Sequence, residues 1–396
     1  MKKSSPKKDP VVHLPEFVTG SALSFPILKI LKEDGTLYKD AVLPLIDREK
    51  ALKIYDTFLF LRIFDERMLA AQRQGRISFF MTSTGEEATH VGSAAALQDD
   101  DMVMAQYREP GPLYFRGFTT ANFMNQLFSN EQDLGKGRQM PVHYGSKKLN
   151  YMTISSPLAT QIPQSVGYAY AQKIEGSQSC TLCFFGEGAA SEGDFHAAMN
   201  MATLFEVPLI FFCRNNHYAI STPSEQQFAA DGIAPRGVGY GMKTIRIDGN
   251  DVLAVMKATE EARKLAVEKN EPILIEAMTY RLGAHSTSDD PSGYRSRKEE
   301  NRWKKSDPVL RMKKWLLAQE WWSEKEDQEA MDTKREEVRN EMQKAEKIPV
   351  SELSSLVTDV YDKPPWHLQE QLAELEQHIR RYPKEYPKSS WRFKND

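Results

Sequence analysis

Residues 180–222 read CTLCFFGEGAASEGDFHAAMNMATLFEVPLIFFCRNNHYAIST, and their pattern decides the fold. Cys180 to Phe185 is a short apolar run, as expected of a strand buried on both faces. Gly186-Glu187-Gly188 interrupts it. Phe195, Ala198, Met199, Ala202 and Phe205 then recur at helical spacing. Val207 to Cys213 is a second buried strand, ending in Arg214-Asn215-Asn216. A strand, helix, strand crossover joins parallel strands with right-handed connectivity, so both strands finish at one sheet edge. Open α/β sheets bind ligands at that edge. Glu187 and Asn216 therefore converge there. A carboxylate, an amide and Arg214 beside them suit a hard cation holding a phosphate.

The composition narrows the class. At 396 residues, the chain is long enough for one large α/β core with extensions. A formal net charge of -3 offers no bulk attraction to nucleic acid or anionic membrane, and no apolar run approaches a bilayer span. With 3 cysteines there is no disulfide framework. Cys180 and Cys183 have CxxC spacing, but within a strand that spacing points them to opposite faces, as buried small hydrophobes.

Residues 1–45 read as an N-terminal arm that is poorly ordered or drapes over a partner. The arm lacks the arginines of a transit peptide and carries Asp9 early, which favours a bacterial cytoplasm over a processed mitochondrial matrix chain. Residues 46–305 form the α/β domain, a mostly parallel sheet with helices on both faces. It begins with a helix from the N-cap Asp47 to near Arg73, ended by Gly75. Glu86 to Leu97 is helical, Met102 to Gln106 a brief strand, and Tyr107-Arg108 follows. Arg108 is a second anion contact or an ordinary ion pair. Ser155, Ser156, Pro157, Thr160 and Gln161 crowd oxygens into one turn. They read either as a cation loop or as a capped helix start, and the residues alone favour capping. Lys243 to Ile247 and Ile273 to Met278 are further strands flanking a helix from Asp251 to Lys269. His285 follows the last strand at the ligand edge. A lone histidine is usually structural, but this placement keeps a functional role open. Residues 286–301 are polar and predict a mobile loop. Residues 306–396 read as a helical extension rich in tryptophan, packed on the core or on a partner chain.

Beyond these patterns, GRISFF, GEEATHVGSAAAL, DLGKGRQMPVHYG, TISSPLATQIPQ, FGEGAASEGDFHAA, FFCRNN and IEAMTYRLGAHSTSDDPSGYRS resemble the alpha subunits of branched-chain 2-oxo acid dehydrogenases. The GEG and NN elements are similar to the thiamine diphosphate motif usually written GDG and NN, with Glu187 in place of aspartate. The resemblance implies a thiamine diphosphate-binding fold and oxidative decarboxylation of branched-chain 2-oxo acids such as 2-oxoisovalerate. The acyl group would pass to the lipoyl arm of a dihydrolipoyl transacylase.

Carried over by position, the resemblance implies magnesium on Glu187, Asn216 and the Tyr218 carbonyl. Arg108 and Arg214 would grip the diphosphate. Gln106, Tyr107, Ser156, Leu158, Gly186, Gly188 and Ala189 would line cofactor or substrate. Ser155, Pro157, Thr160 and Gln161 would hold potassium, reversing the capping preference. His285 would serve acyl transfer, and Ser286 and Ser296 match phosphorylated serines of mitochondrial family members. The partners implied are a beta subunit, in an α2β2 heterotetramer, and the transacylase core. The rival readings are a pyruvate or acetoin dehydrogenase alpha subunit and, more remotely, a non-catalytic assembly module.

Overall fold

The architecture follows from which residues can be buried on both sides of a sheet. The computed structural model describes Leu14 and residues 24–386 and 391–393. The chain begins with strand β1 (Ile27–Leu28), helices α1 (Arg48–Arg73) and α2 (Glu87–Ala96), and β2 (Met102–Met104). Then come α3 (Gly111–Phe115), α4 (Thr120–Leu127), α5 (Gln161–Ile174), β3 (Thr181–Gly186), α6 (Gly193–Phe205) and β4 (Leu209–Asn215). A small hairpin of β5 (Tyr218–Ala219) and β6 (Thr222–Pro223) leads to α7 (Ser224–Gln227) and α8 (Ala234–Gly239). The sheet is completed by β7 (Lys243–Asp248) and β8 (Ile273–Met278) around α9 (Val252–Lys269). The chain ends in α10 (Arg297–Lys305), α11 (Pro308–Ala318), α12 (Glu324–Ala345), α13 (Ser355–Thr358) and α14 (Trp366–Arg381).

The strands form a 6-stranded sheet in the order β1-β7-β8-β4-β3-β2. Every pairing is parallel. Parallel sheets need both faces covered, and β3 shows how the sequence arranges it. Cys180, Leu182 and Phe184 point into one core cluster, with α1, α2 and α9. Cys183 and Phe185 point into the other, with α5 and α6. The CxxC pair thus lies on opposite faces as expected, and all three cysteines are free and buried.

Helix α1 starts where Asp47 accepts a hydrogen bond from the Lys50 N–H at 2.8 Å. It stops before Gly75, whose φ of 72° favours a residue without Cβ. Asp251 caps α9 through Oδ1 and with Oδ2 also accepts from the N–H groups of Ile30 and Leu31 at 2.6 and 2.7 Å. That second use corrects the expected arm. Residues 24–45 are tied down by Asp251 and by β1 pairing with β7, while most of residues 1–23 lie outside the described residues. The signal was weak because β1 spans only 2 residues.

Helices α11 and α12 pack on this same body. Met312, Trp315, Leu316, Val338 and Met342 join the first core cluster, and the Tyr55 hydroxyl donates to Asp327 at 2.7 Å. Trp321 and Trp322 pack against that core too, so these tryptophans cover this chain's own α1. Trp366 differs: it is 75% exposed, with Leu356, Val360 and Tyr361 also exposed nearby in the chain. Another exposed apolar face lies on α5 and α6. There Ile174 and Leu204 are 68% and 72% exposed beside Tyr170 and Met201. Phe205, expected in the core stripe, belongs to this face and packs on Tyr170 with ring centroids 5.5 Å apart.

Candidate active site

Because β2, β3, β4 and β8 are parallel, their C-terminal ends open at one edge. A cavity of about 320 Å³ lies there. Gln106, Tyr107 and Arg108 enter it from the end of β2, Gly186, Glu187, Gly188 and Ala189 from β3, Arg214 and Asn216 from β4, and Tyr218 from β5. Arg281 and His285 come from the segment after β8, and Leu158 from the turn before α5. Gln106 ties two strand ends together, its Oε1 accepting from the Gly186 N–H at 2.8 Å. Gly188 is required by space: a Cβ would stand 2.7 Å from that of Ala219.

Glu187 is buried, and burial pushes its carboxyl up to about 7. Its Oε2 accepts from the Asn216 N–H at 3.3 Å, whereas Oε1 is buried without a partner. Such an orphaned acceptor is rare in a folded protein. With Asn216 lining the same cavity, it fits a hard divalent cation. The Tyr218 carbonyl faces Arg281 Nη1 at 3.5 Å.

The cations are held by specific partners. Arg214 donates Nη1 to Glu86 at 2.5 Å and pairs through Nε with Glu109. Arg108 donates Nη1 to the Thr82 carbonyl at 2.7 Å and Nη2 to the His285 carbonyl at 2.5 Å. Burial lowers the Arg108 pKa. Nδ1 of His285 sits 3.1 Å from Arg108 Nη2 and 3.3 Å from Arg281 Nη1. A guanidinium only donates, so Nδ1 accepts and the imidazole proton sits on Nε2. Burial first, then those arginines, bring His285 down to about 3. It is a neutral imidazole between two cations, where an anionic ligand would raise its proton affinity.

Three expected placements change. Ser156 does not line the cavity; its hydroxyl lies 2.7 Å from Nε2 of His143, whose Nδ1 faces the Pro141 carbonyl at 3.1 Å. Thr160 makes no side-chain cap to α5, so the capping preference fails. Its hydroxyl instead lies 3.2 Å from Ser155 Oγ and donates to the Pro157 carbonyl at 3.0 Å, while Gln161 Nε2 is committed to the Phe184 carbonyl.

The third change is the expected mobile loop, much of which is built. Arg295 donates to the carbonyls of Arg281 and Gly283 at 2.5 and 3.0 Å, and Ser296 caps α10 by accepting from the Glu299 N–H at 3.1 Å. The polar composition hid a buried arginine whose work is done on backbone carbonyls. Ser286 faces a neighbouring cavity with Thr82 and Phe80, on the far side of the segment from the His285 ring. Sequence reasoning missed Glu86 and Glu109 as site residues. Acids inside GEEATH and YREP carry no motif, and their role shows only in their burial opposite Arg214.

Residues 55–354 match the family described as "Dehydrogenase E1 component". The chain belongs to this family. A chain from Dictyostelium discoideum named 2-oxoisovalerate dehydrogenase subunit alpha, mitochondrial, is 53% identical over 91% of this chain and 82% of its own length. The Homo sapiens chain of the same name is 50% identical, covering 94% and 84%. An Arabidopsis thaliana chain named 2-oxoisovalerate dehydrogenase subunit alpha 1, mitochondrial, is 47% identical, covering 93% and 78%. Membership carries thiamine diphosphate dependence. The relatives' names overturn the bacterial-cytoplasm expectation, since each is a mitochondrial subunit. The expectation relied on missing arginines near the start, a weak compositional cue.

Proposed function

We propose that this chain is the alpha subunit of a branched-chain 2-oxo acid dehydrogenase acting in mitochondria, and that it decarboxylates 2-oxoisovalerate and related acids. One observation carries the reading: the orphaned Oε1 of buried Glu187 beside Asn216, in a cavity also lined by Arg108, Arg214 and Arg281. The sequence similarity supports the substrate class.

Thiamine diphosphate, when bound, supplies the electron sink for decarboxylation. Glu187, Asn216 and the Tyr218 carbonyl hold magnesium. Arg108, Arg214 and His285 bind the diphosphate, with Arg281 adding positive potential. Gln106, Tyr107, Leu158, Gly186, Gly188 and Ala189 shape the wall and exclude water. The neutral His285, a donor through Nε2, gains proton affinity as negative charge arrives, which suits it to hold a proton during acyl transfer to the lipoyl group. Ser155, Pro157, Thr160 and Gln161 bind potassium and stiffen the turn carrying Ser156. Ser286 and Ser296 are phosphorylation positions.

A separate beta chain completes the site in an α2β2 assembly, and the exposed α5/α6 apolar face supports burial against another chain. The test is co-expression with a beta chain, then turnover of 2-oxoisovalerate and of pyruvate with a lipoyl acceptor. Preferred 2-oxoisovalerate turnover agrees. Preferred pyruvate turnover moves the chain to the rival substrate.

A further inference from the structure

Glu86 has no place in the chemistry described so far, yet it is buried where an acid is expensive. It precedes α2, so its carboxylate lies near the positive end of a helix. Gly85 sets it there with a φ of +100°, and a Cβ at Gly85 would stand 2.3 Å from the Tyr280 carbonyl. The two Glu86 oxygens are divided between neighbours on the β4 strand end. Oε2 accepts from Arg214 Nη1 at 2.5 Å, and Oε1 accepts from Asn216 Nδ2 at 3.0 Å.

The second bond is one of two that fix which way the Asn216 amide points. With Nδ2 donating to Glu86, Oδ1 faces the other way, where it accepts from the Tyr218 N–H at 3.2 Å. An amide binds a cation only through its oxygen, so a flipped Asn216 would present N–H groups to the metal. Glu109 also holds Arg214 but has no bond to Asn216.

We propose that Glu86 is a positioning residue that locks the Asn216 amide oxygen toward the metal while fixing Arg214 for the diphosphate, coupling metal and anion binding through one carboxylate. This rests on the reading of the strand edge as a magnesium and diphosphate site. Glu86→Gln leaves a single acceptor oxygen for two donors. If Arg214 keeps it, the new NH₂ meets Asn216 Nδ2, and this donor clash works against the Tyr218 N–H bond that holds the amide oxygen, so the amide loses its fixed orientation.

The experiment is calorimetric titration of Mg²⁺ into the assembly with its beta chain, with thiamine diphosphate present. Loss of an orienting partner typically costs about 10- to 100-fold in metal affinity, and that loss is expected for Glu86→Gln. Asn216→Asp alone sets two carboxylates against each other and also weakens binding. Combined with Glu86→Gln it restores the pair, because the Gln NH₂ donates to the Asp carboxylate, and affinity recovers to within about tenfold. Should Glu86→Gln misfold, Glu86→Asp keeps the charge on a stem too short to reach both partners, and it loses metal affinity likewise. Metal affinity within about twofold of wild type in whichever single variant folds, or no recovery in the double variant, overturns the proposal. A wild-type assembly whose thiamine diphosphate binding needs no metal, and does not change in Glu187→Ala, overturns the site reading and this proposal together.

Discussion

Glu187→Gln should separate what the site costs the fold from what it does. The carboxyl rises from 4.5 to about 7 in the folded chain, chiefly because burial penalises the charge. The unfolded chain ionises near 4.5, so stability is fully present below that pH and lost as pH rises toward 7. At roughly 1.4 kcal/mol per pH unit, that shift bounds the loss at about 3 kcal/mol above pH 7. The Gln amide still buries a polar group, so a net gain of about 1–2 kcal/mol is expected at pH 8, vanishing near pH 4.5. The Asn216 N–H keeps an acceptor in the variant. Urea unfolding of the cofactor-free assembly at both pH values measures the gain. Calorimetry on the same variant should show magnesium-dependent binding of thiamine diphosphate lost. A variant less stable than wild type at pH 8, or one with unchanged metal-dependent binding, refutes the reasoning.

Asp65 gives a second pH signature, away from the metal. It is buried, accepts from the Ser83 N–H at 2.7 Å and the Thr84 hydroxyl at 2.9 Å, and is raised to about 7 by burial. The folded chain therefore holds a proton that the unfolded chain loses near 3.8, so stability falls between about pH 4 and 7; Asp65→Asn should flatten that part of the profile, measured by Tm against pH. His285→Phe should keep thiamine diphosphate binding within about tenfold while cutting lipoyl-dependent turnover by 100-fold or more, read as separate binding and turnover assays. Leu204→Asp should leave the fold's melting midpoint near wild type but prevent heterotetramer formation, checked by light scattering. Ser286→Glu should cut complex activity by setting another carboxylate in the cavity lined by Asp289, which accepts from the His285 N–H, with Ser296→Glu milder and costing roughly 1 kcal/mol through the lost α10 cap, seen in turnover and unfolding.

The residues that were legible in the sequence are those whose role follows from chain direction. Glu187, Arg214 and Asn216 stand at the ends of strands whose apolar runs fixed parallel pairing, so their meeting was predictable. His285 followed β8 by the same logic. Glu86 and Glu109 were not legible, because their meaning lies in which guanidinium they face, and neither is adjacent to Arg214 in sequence. Likewise Arg295 sits in a polar stretch that composition assigns to solvent, yet its partners are the backbone carbonyls of Arg281 and Gly283. At β1, a 2-residue strand carries too little periodicity to register, and the anchoring bonds come from Asp251.

The most direct measurement is an experimental structure of the assembly with its beta chain, loaded with magnesium and thiamine diphosphate. The account predicts a metal on Glu187, Asn216 and the Tyr218 carbonyl, with the diphosphate against Arg108, Arg214 and His285. Diphosphate density outside the β2–β3–β4 strand edge, or a metal without Glu187 as ligand, would contradict it.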